Sequence, residues 1–459
     1  MRILRTVKLQ PAQTIIIGFL ILILLGSALL ATPFATRSGR PVPYLDALFT
    51  STSAVCVTGL VVVDTGTVYS LFGQIVIILL IQAGGLGVMT VMSLAFLLLR
   101  KRITLSERMV IKESFNEFDL SGLVKVILKV IKVTLIAELL GAGLLAIRFI
   151  PAFGWDKGMF FSLFHAISAF CNAGFDLFGP VSAPYKSLTM FSGDPLVILT
   201  IAFLVIIGGL GFVVITHILS PERIRGKQGI SRYARLVITA TAVLIIVGMV
   251  SVYLFEQNNP NTIGNMSFGE KILNSFFQSV TPRTAGYATF DQGALLPATK
   301  FIVIMLMFIG ASPAGTGGGI KTTTFSIVIL FLLASMLGKH DVTTRDRRIA
   351  ADTVRRALTI TLISLLLVVA ASLAMMGIEG QRGGLFTPEN IVFEVVSAFG
   401  TVGLTSGITP MLSTASRIIL IFVMYVGRVG LLTLVVALAL RSRKDDANIR
   451  YPEERFMVG

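Results

Sequence analysis

The stretch Ser53-Ala-Val-Cys-Val-Thr-Gly59 recurs three more times, in altered form, along this chain of 459 residues. The other copies are Ser168-Ala-Phe-Cys-Asn-Ala-Gly174, Val280-Thr-Pro-Arg-Thr-Ala-Gly286 and Ser397-Ala-Phe-Gly-Thr-Val-Gly403. Their closing glycines are 115, 112 and 117 residues apart, so four units of this length fill the chain. A fixed internal period indicates a repeat architecture, and each copy lies between two long apolar segments. The pattern predicts a membrane pore built from four re-entrant loops around one axis.

The composition is that of a membrane protein. Hydrophobic residues make up 54% of the chain and charged residues 14%, with a mean hydropathy of +0.86. Soluble domains carry about 25% charged residues, so most of this surface must face lipid.

The formal net charge of +15 is unevenly distributed along the chain. Of the 39 lysines and arginines, 27 lie before the first apolar segment or in residues 100–132, 223–235, 339–356 and 441–455, which are every second connection. Basic residues concentrate on the cytoplasmic side of a membrane. The pattern therefore predicts that both termini are cytoplasmic, and it makes nucleic acid a poor explanation for the charge.

Eight apolar segments pair up around the four loops. Each is long enough to cross the hydrocarbon, which takes about 20 apolar residues in a helix. The first of each pair covers roughly residues 14–32, 124–150, 234–255 and 357–378, and the second roughly 72–99, 196–219, 300–338 and 416–440. We interpret the N-terminal stretch as the first helix of repeat one and not as a signal peptide, because that repeat would otherwise lack a helix.

The predicted fold is an all-α integral membrane protein. Four pseudo-symmetric helix–pore-loop–helix repeats, with eight transmembrane helices in total, would surround a central cation pore. The repeats would cover residues 1–100, 101–220, 221–339 with a broken gate helix, and 340–459 with a C-terminal tail. Short pore helices are predicted at roughly 44–56, 158–171, 268–281 and 388–399, too short to span the bilayer.

The chemistry predicted for the loops follows from backbone geometry. A ring of carbonyl oxygens can replace the hydration shell of K⁺, and turning carbonyls toward one axis demands dihedral angles that glycine accepts cheaply. The negative C-terminal ends of the pore helices would also favour a cation at the centre. The candidate K⁺ ligands of this filter are the last three residues of each copy: Val57, Thr58, Gly59, Asn172, Ala173, Gly174, Thr284, Ala285, Gly286, Thr401, Val402 and Gly403.

Over its whole length the chain resembles the membrane subunit of Ktr-type potassium uptake systems, within the Trk/Ktr/HKT superfamily. The resemblance rests on the four loops, on Gly84-Gly-Leu-Gly87 and Gly208-Gly-Leu-Gly211, on a glycine-rich break at residues 310–319 and on Val426-Gly-Arg-Val-Gly430. Trk-type relatives usually carry two additional N-terminal helices, which this chain lacks, and this favours the Ktr branch.

The resemblance also bears on ion preference. Sodium-selective relatives have serine at the position of Gly59, so this chain is expected to prefer potassium, with sodium as a further candidate ion. The four walls are not equivalent, because Arg283 stands where two other loops have Cys56 and Cys171 and the fourth has Gly400. Selectivity could therefore be looser than in a symmetric tetramer.

The glycine-rich break supplies a predicted gate. In the Ktr-type relatives the matching segment is an intramembrane loop that obstructs the pore under the filter. The predicted gate comprises Gly310, Ala311, Ser312, Pro313, Ala314, Gly315, Thr316, Gly317, Gly318 and Gly319, together with Lys321 and Arg428. A kinked helix is the alternative to a gate, whereas a phosphate-binding loop is rejected because Ile320 stands where that motif requires glycine.

Two basic residues of the predicted gate lie in apolar sequence, where a charge is costly and usually marks function. The resemblance makes Arg428 a positive barrier beneath the filter. Lys321 either belongs to the gate or reaches toward the cytoplasmic face.

Three acidic residues follow the loops, and they are predicted at the outer mouth, where their field would concentrate cations. They are Asp64, Asp176 and Asp291; ordinary solvated acids are the alternative interpretation. The intramembrane Glu138 receives no assigned role. The cysteines and histidines show no metal-ligand spacing, so K⁺ in the filter is the only metal ion expected, and no catalytic residues are predicted.

The resemblance implies partners as well. These are a second copy of the chain in a homodimer, with one pore per subunit, and a separate cytosolic ring that binds the regulatory nucleotide and docks on the basic loops. The expected location is the bacterial plasma membrane. Whether the pore is a gated channel or a sodium-coupled carrier stays open.

Two functions from other classes were weighed. A secondary transporter of another cation or a small solute usually has two inverted repeats, whereas four parallel ones are counted here. An intramembrane enzyme would need a catalytic constellation at membrane depth, and the sequence offers none.

Overall fold

The computed structural model describes residues 11–87, 123–219, 229–339, 341–344, 347–431 and 433. These residues are mostly helical. The predicted helical residues 88–99 and 434–440, the basic connections at 100–122 and 220–228, and the C-terminal tail lie outside the described residues.

Four long helices correspond to the predicted first helix of each repeat. Each belongs to a helical stretch of 19 to 32 residues with a mean hydropathy of 2.1 to 2.5, long and apolar enough to cross a membrane. Large apolar side chains such as Leu25, Leu139 and Leu366 are more than half exposed on them, as expected of surfaces that face lipid. These helices are α1 (Pro11–Leu30), α4 (Leu123–Phe153), α8 (Arg232–Glu256) and α12 (Ala351–Glu379).

Four shorter helices lie where the sequence predicts pore helices. Two of their starts are capped by side chains: Ser267 and Glu270 form a reciprocal capping box, and the Thr387 hydroxyl accepts from the Asn390 amide ahead of Pro388. Their C-terminal halves are buried. They are α2 (Tyr44–Val55), α5 (Trp155–Phe170), α9 (Phe268–Val280) and α13 (Pro388–Gly400).

Two of the four second helices are interrupted within the described residues, and for one of them the prediction is wrong. The continuous helix expected over residues 196–219 bends by 100° at Gly211, whose φ is +88°. The break has a tertiary cause, because the Gly208 and Gly209 carbonyls accept hydrogen bonds from the distant Thr316 and Ser312 amides. The second helices are α3 (Leu71–Leu86), α6 (Pro195–Leu210) with α7 (Phe212–Ile218), α10 (Pro297–Phe308) with α11 (Thr322–Met336), and α14 (Thr414–Val429).

The number of spans follows from these lengths. Within the described ranges four helices alone could cross a membrane, and the bent pair α6–α7 makes a fifth candidate. Helices α3, α10 and α11 are apolar but have only 12 to 16 described residues each.

One element departs from the all-α prediction. Strands β1 (Thr343–Thr344) and β2 (Arg347–Arg348) pair antiparallel in the connection before α12. The Ile349 amide donates to the Val342 carbonyl beside this pair, at 2.8 Å.

The first and last parts of the chain are joined directly. Arg417 Nη1 of α14 lies 2.5 Å from Asp46 Oδ1 of α2, and both side chains are largely buried. The Tyr425 hydroxyl donates to the Ile16 carbonyl of α1 at 2.7 Å. These contacts bring the fourth loop next to the first.

Candidate functional site

The four repeated loops share one backbone conformation. The closing residues Gly59, Gly174, Gly286 and Gly403 have φ between +69° and +95°. The residue two positions earlier also has positive φ, although it is not glycine: +51° at Val57, +58° at Asn172, +73° at Thr284 and +51° at Thr401. Such angles are rare for β-branched side chains, and backbone strain of this kind clusters at functional sites.

The four closing glycines contact one another in a closed circuit. A Cβ added to Gly59 would lie 3.2 Å from the Cα of Gly174, and one added to Gly174 would lie 3.1 Å from the Cα of Gly286. A Cβ on Gly286 would be 3.0 Å from Gly403, and one on Gly403 would be 3.0 Å from Gly59. Each added Cβ would also meet a carbonyl oxygen of the next loop. No side chain can enter this ring without displacing its neighbour.

The first, second and fourth loops are hydrogen-bonded to the preceding helix in the same way, whereas the third loop differs. The amides of Thr58, Ala173 and Val402 each donate to the carbonyl five residues earlier, at 2.7 to 2.8 Å. In the third loop Ala285 donates to the carbonyl of Thr281, four residues earlier, at 2.9 Å. The inequivalence of the loops thus extends to the backbone.

Arg283 is a second feature that distinguishes the third loop. Its guanidinium is buried and lies 3.4 to 3.5 Å from the hydroxyl and carbonyl of Thr241 in α8. The side chain is therefore directed outward from the loop toward the first helix of its repeat. Within the described ranges it forms no ion pair.

A cavity of about 210 Å³ lies above the ring of glycines. All four closing glycines line it, and so do Asp176 and Asp291. Asp64 does not line it: the buried Asp64 carboxylate accepts from the Thr67 amide at 2.8 Å and from the Tyr185 amide at 3.1 Å. Two of the three predicted mouth acids therefore face the cavity, and the third organises its wall.

Asp176 is the more enclosed of the two acids at this cavity. Burial raises the pKa of its carboxyl to about 7, and the nearby Asp64 charge adds to the increase, while a hydrogen bond from the Phe178 amide opposes it. The charge of the cavity wall therefore changes near neutral pH.

The segment predicted as the gate, residues 310–319, connects α10 to α11 without helical structure. Helices α6 and α14 hold it: the Ser312 and Thr316 amides donate to the Gly209 and Gly208 carbonyls of α6 at 3.0 and 3.2 Å, and the Gly319 amide donates to the Gly427 carbonyl of α14 at 3.3 Å. We call residues 310–319 the cross-loop. Its backbone groups are satisfied by protein partners, as irregular backbone at membrane depth requires.

The cross-loop lies against the residues that precede the ring of glycines. The Gly318 amide donates to the Thr401 hydroxyl at 2.9 Å. The Asn172 side-chain amide lies 3.0 Å from the Thr284 hydroxyl and 3.2 Å from the Thr316 hydroxyl. The glycines thus line the cavity, while residues two positions earlier in the loops contact the cross-loop.

Both basic residues of the predicted gate bind the cross-loop. Lys321 Nζ donates to the Gly317 carbonyl at 2.7 Å. The Arg428 guanidinium donates to the carbonyls of Thr316, Gly84 and Gly85, and thus joins the cross-loop to the end of α3.

Glu138 has a specific contact that the sequence did not assign. Gln82 Nε2 donates to Glu138 Oε2 at 3.3 Å, and Gln82 Oε1 lies 3.5 Å from the sulfur of Cys171. This polar chain connects α4 to the residue directly before Asn172.

Tyr185 and Lys186 also line the cavity, although no motif in the sequence singles them out. The sequence did hold one signal for them. Lys186 lies in a connection predicted on the outer side of the membrane, where the positive-inside pattern places few basic residues. Only the folded chain shows that this connection returns over the glycines.

The chain is similar to known cation transport proteins. Residues 9–448 match the family model described as TrkH, cation transport protein. The chain is 41% identical to the potassium/sodium uptake protein NtpJ of Enterococcus hirae, covering 98% of both chains. It is 40% identical to the Ktr system potassium uptake protein B of Bacillus subtilis, covering 100% of this chain and 99% of the relative.

The fold is also similar to a solved structure. The potassium transporter TrkH from Vibrio parahaemolyticus matches with a TM-score of 0.70 at 16% identity, over 97% of this chain and 88% of that chain.

Proposed function

We propose, given that the chain belongs to the TrkH family of cation transport proteins, that it carries potassium ions through a single-file filter formed by the four loops. The family consists of transporters and not of enzymes, and the chain is a multi-pass membrane protein of the Ktr/Trk type. The names of its relatives support potassium as the cargo, with sodium as a second ion.

The closed circuit of Gly59, Gly174, Gly286 and Gly403 is the observation that carries this proposal. Four carbonyl-bearing strands that meet through glycines are suited to replace the water around a dehydrated K⁺. The proposed ligands are the carbonyls of the three residues that close each loop. The pore would be surrounded by four pseudo-symmetric repeats at residues 1–100, 101–220, 221–339 and 340–459, with eight membrane-spanning helices.

The cross-loop is proposed as the gate. Its contacts with Thr401 and Asn172 put it beside the inner residues of the filter, and Arg428 adds a positive charge at the same place. A cation leaving the filter would have to displace these contacts. Opening therefore requires the hydrogen bonds to Arg428 and the flanking helices to rearrange.

Regulation and assembly are proposed from the relatives. A relative named as part of a Ktr system supports a membrane component that works with other subunits. The proposed partners are a second copy of this chain and a cytosolic nucleotide-binding ring, with the nucleotide on the ring alone. The proposed location is the bacterial plasma membrane with cytoplasmic termini, on the distribution of basic residues.

The proposal is tested by rubidium and potassium uptake in a potassium-auxotrophic strain that expresses the chain, with and without a cytosolic Ktr partner. Gly59→Ser would place a side chain against the carbonyl of Ala173, so we expect altered potassium/sodium preference. Gly39→Ser is the matched control, because Gly39 also has positive φ (+67°) but no atom within 4 Å of an added Cβ.

The result separates the two candidate functions. Uptake by the wild type, with preference altered in Gly59→Ser and retained in Gly39→Ser, supports the four-loop filter. Absence of rubidium and potassium uptake, even with the partner supplied, favours a secondary transporter of another cation or a small solute.

A further inference from the structure

The segment around Lys186 is held in a strained backbone conformation above the ring of glycines. Seven non-glycine residues in the described ranges have positive φ. Four belong to the repeated loops and one, Ala314, to the cross-loop. The remaining two are Tyr185 (+64°) and Ser187 (+46°), directly on either side of Lys186. Backbone strain persists only where the surrounding structure enforces it.

Contacts from two different repeats enforce this conformation. On one side the Tyr185 amide donates to Asp64 Oδ2 at 3.1 Å, and the Tyr185 hydroxyl lies 3.4 Å from the Val62 carbonyl. On the other side the Ala288 amide donates to the Ser187 hydroxyl at 3.2 Å. Leu188 donates to the Ala288 carbonyl at 2.9 Å. The segment is therefore fixed across the cavity between the first and third loops.

Lys186 consequently contributes a positive charge to the wall of the cavity that all four closing glycines line. Its Nζ lies 3.8 Å from Asp291 Oδ2, and the two side chains are 51% and 58% exposed. An exposed pair at this distance is weakly held, so the ammonium group keeps much of its field. A second acid, Asp176, lines the same cavity, and the wall therefore carries charges of both signs.

We infer that Lys186 is a specificity-determining residue, which disfavours divalent cations relative to monovalent ones in the cavity above the filter. The inference rests on the proposed function of the loops as a cation path. A cation that enters must first occupy this cavity, where the ammonium group repels it. The repulsive free energy is proportional to the charge of the entering ion. If this repulsion lowers the occupancy of the cavity by K⁺ by a given factor, it therefore lowers the occupancy by a divalent cation by the square of that factor.

This square relationship gives a quantitative test. Ba²⁺ is the probe, because it is close to K⁺ in size and carries twice the charge. In cells expressing the full chain, rubidium uptake gives the apparent affinity for the monovalent ion, and its inhibition by external Ba²⁺ gives the affinity for the divalent one. If Lys186→Gln raises the apparent rubidium affinity about threefold, Ba²⁺ inhibition should strengthen about ninefold, because the electrostatic free energy doubles with the charge.

Three further variants accompany Lys186→Gln. Lys186→Arg keeps the charge and should match the wild type, while Lys186→Glu reverses it and should strengthen Ba²⁺ inhibition further. Lys157→Gln removes an exposed lysine at the start of helix α5 that is not among the residues lining the cavity, and it should leave both affinities unchanged.

The outcomes distinguish this inference from the proposed function. The role of Lys186 is supported if Ba²⁺ inhibits Lys186→Glu most strongly and Lys186→Gln less strongly, and if Lys186→Arg is as sensitive to Ba²⁺ as the wild type. If rubidium is taken up and Ba²⁺ inhibits Lys186→Gln and Lys157→Gln equally, the inference about Lys186 is overturned but the cation path remains supported. Absence of rubidium uptake by the wild type, even with a cytosolic Ktr partner, overturns the proposed function itself.

Discussion

Gly403 lies against Gly59, although 344 residues separate them in the sequence: a Cβ added to Gly403 would lie 3.0 Å from the Gly59 Cα and would also meet the Thr58 carbonyl. This contact closes the circuit of the four loops. A fourfold arrangement within one chain depends on it, because the other three contacts join loops that follow one another in sequence.

Substitution of Gly403 should therefore damage transport through crowding of the ring. We expect Gly403→Ala to reduce rubidium uptake by at least about tenfold. A destabilisation of the ring by about 1.4 kcal/mol is enough for a tenfold effect. The control is Gly407→Ala, because Gly407 has nearly the same φ (+94° against +95°) but no atom within 4 Å of an added Cβ. Both variants bear the same backbone strain, so equal uptake by the two at equal protein level would refute crowding as the cause.

Arg428→Gln should increase ion flux. The guanidinium donates to the Thr316 carbonyl of the cross-loop and to Gly84 and Gly85 of α3. Loss of about 1.4 kcal/mol from this contact would shift the ratio of closed to open states about tenfold. Rubidium uptake at a fixed protein level measures the change.

Two further variants test how Arg428 acts. Arg428→Lys keeps the charge but loses the planar fork, so it separates the positive barrier from the hydrogen bonds. Arg148→Gln is the control, since Arg148 pairs with Asp194 away from the cross-loop. Unchanged flux in Arg428→Gln would contradict a gating role.

Thr401→Val tests a single hydrogen bond of the proposed gate. The Thr401 hydroxyl accepts from the Gly318 amide at 2.9 Å, and a bond between neutral groups contributes about 0.5–1.5 kcal/mol. Valine is tolerated at this position of a loop, because Val57 has the same φ of +51° in the first copy. We expect a rise in rubidium uptake of about two- to tenfold, which follows from that energy.

The matched variant is Thr401→Ser, which keeps the hydroxyl and should behave as the wild type. The same increase in both variants would contradict control of the cross-loop by this hydrogen bond, because serine keeps the hydroxyl that accepts it.

Asp176 should make cation affinity depend on external pH. Its pKa is raised to about 7, mainly by burial and further by Asp64, so the carboxyl loses its charge as the pH falls through about 7. The apparent affinity for rubidium should therefore decrease between pH 8 and pH 6. Lys186 and Asp291 line the same cavity.

The comparison is the pH profile of Asp176→Asn. It should be flat over this interval and low throughout, like the wild type at acid pH. A wild-type profile that survives in the variant would assign the titration to another group.

The amino-acid sequence by itself predicted the mostly helical fold, the family and the positions of the four loops. It could do so because these features are local: apolar length marks a helix that can meet lipid, and a repeated seven-residue pattern marks each loop. The start of α13 at Pro388 and the break between α10 and α11 follow from the same local rules.

Only the tertiary structure decided which groups meet. The closure of Gly403 on Gly59, the attachment of Arg428 to the cross-loop and the return of Lys186 over the glycines each join residues from different repeats. The bend at Gly211 belongs here too, because the Gly208 and Gly209 carbonyls bind the cross-loop. Asp64 looked like a mouth acid by position, yet its hydrogen bonds bury it in the wall. Such contacts depend on packing between distant segments, which local sequence does not encode.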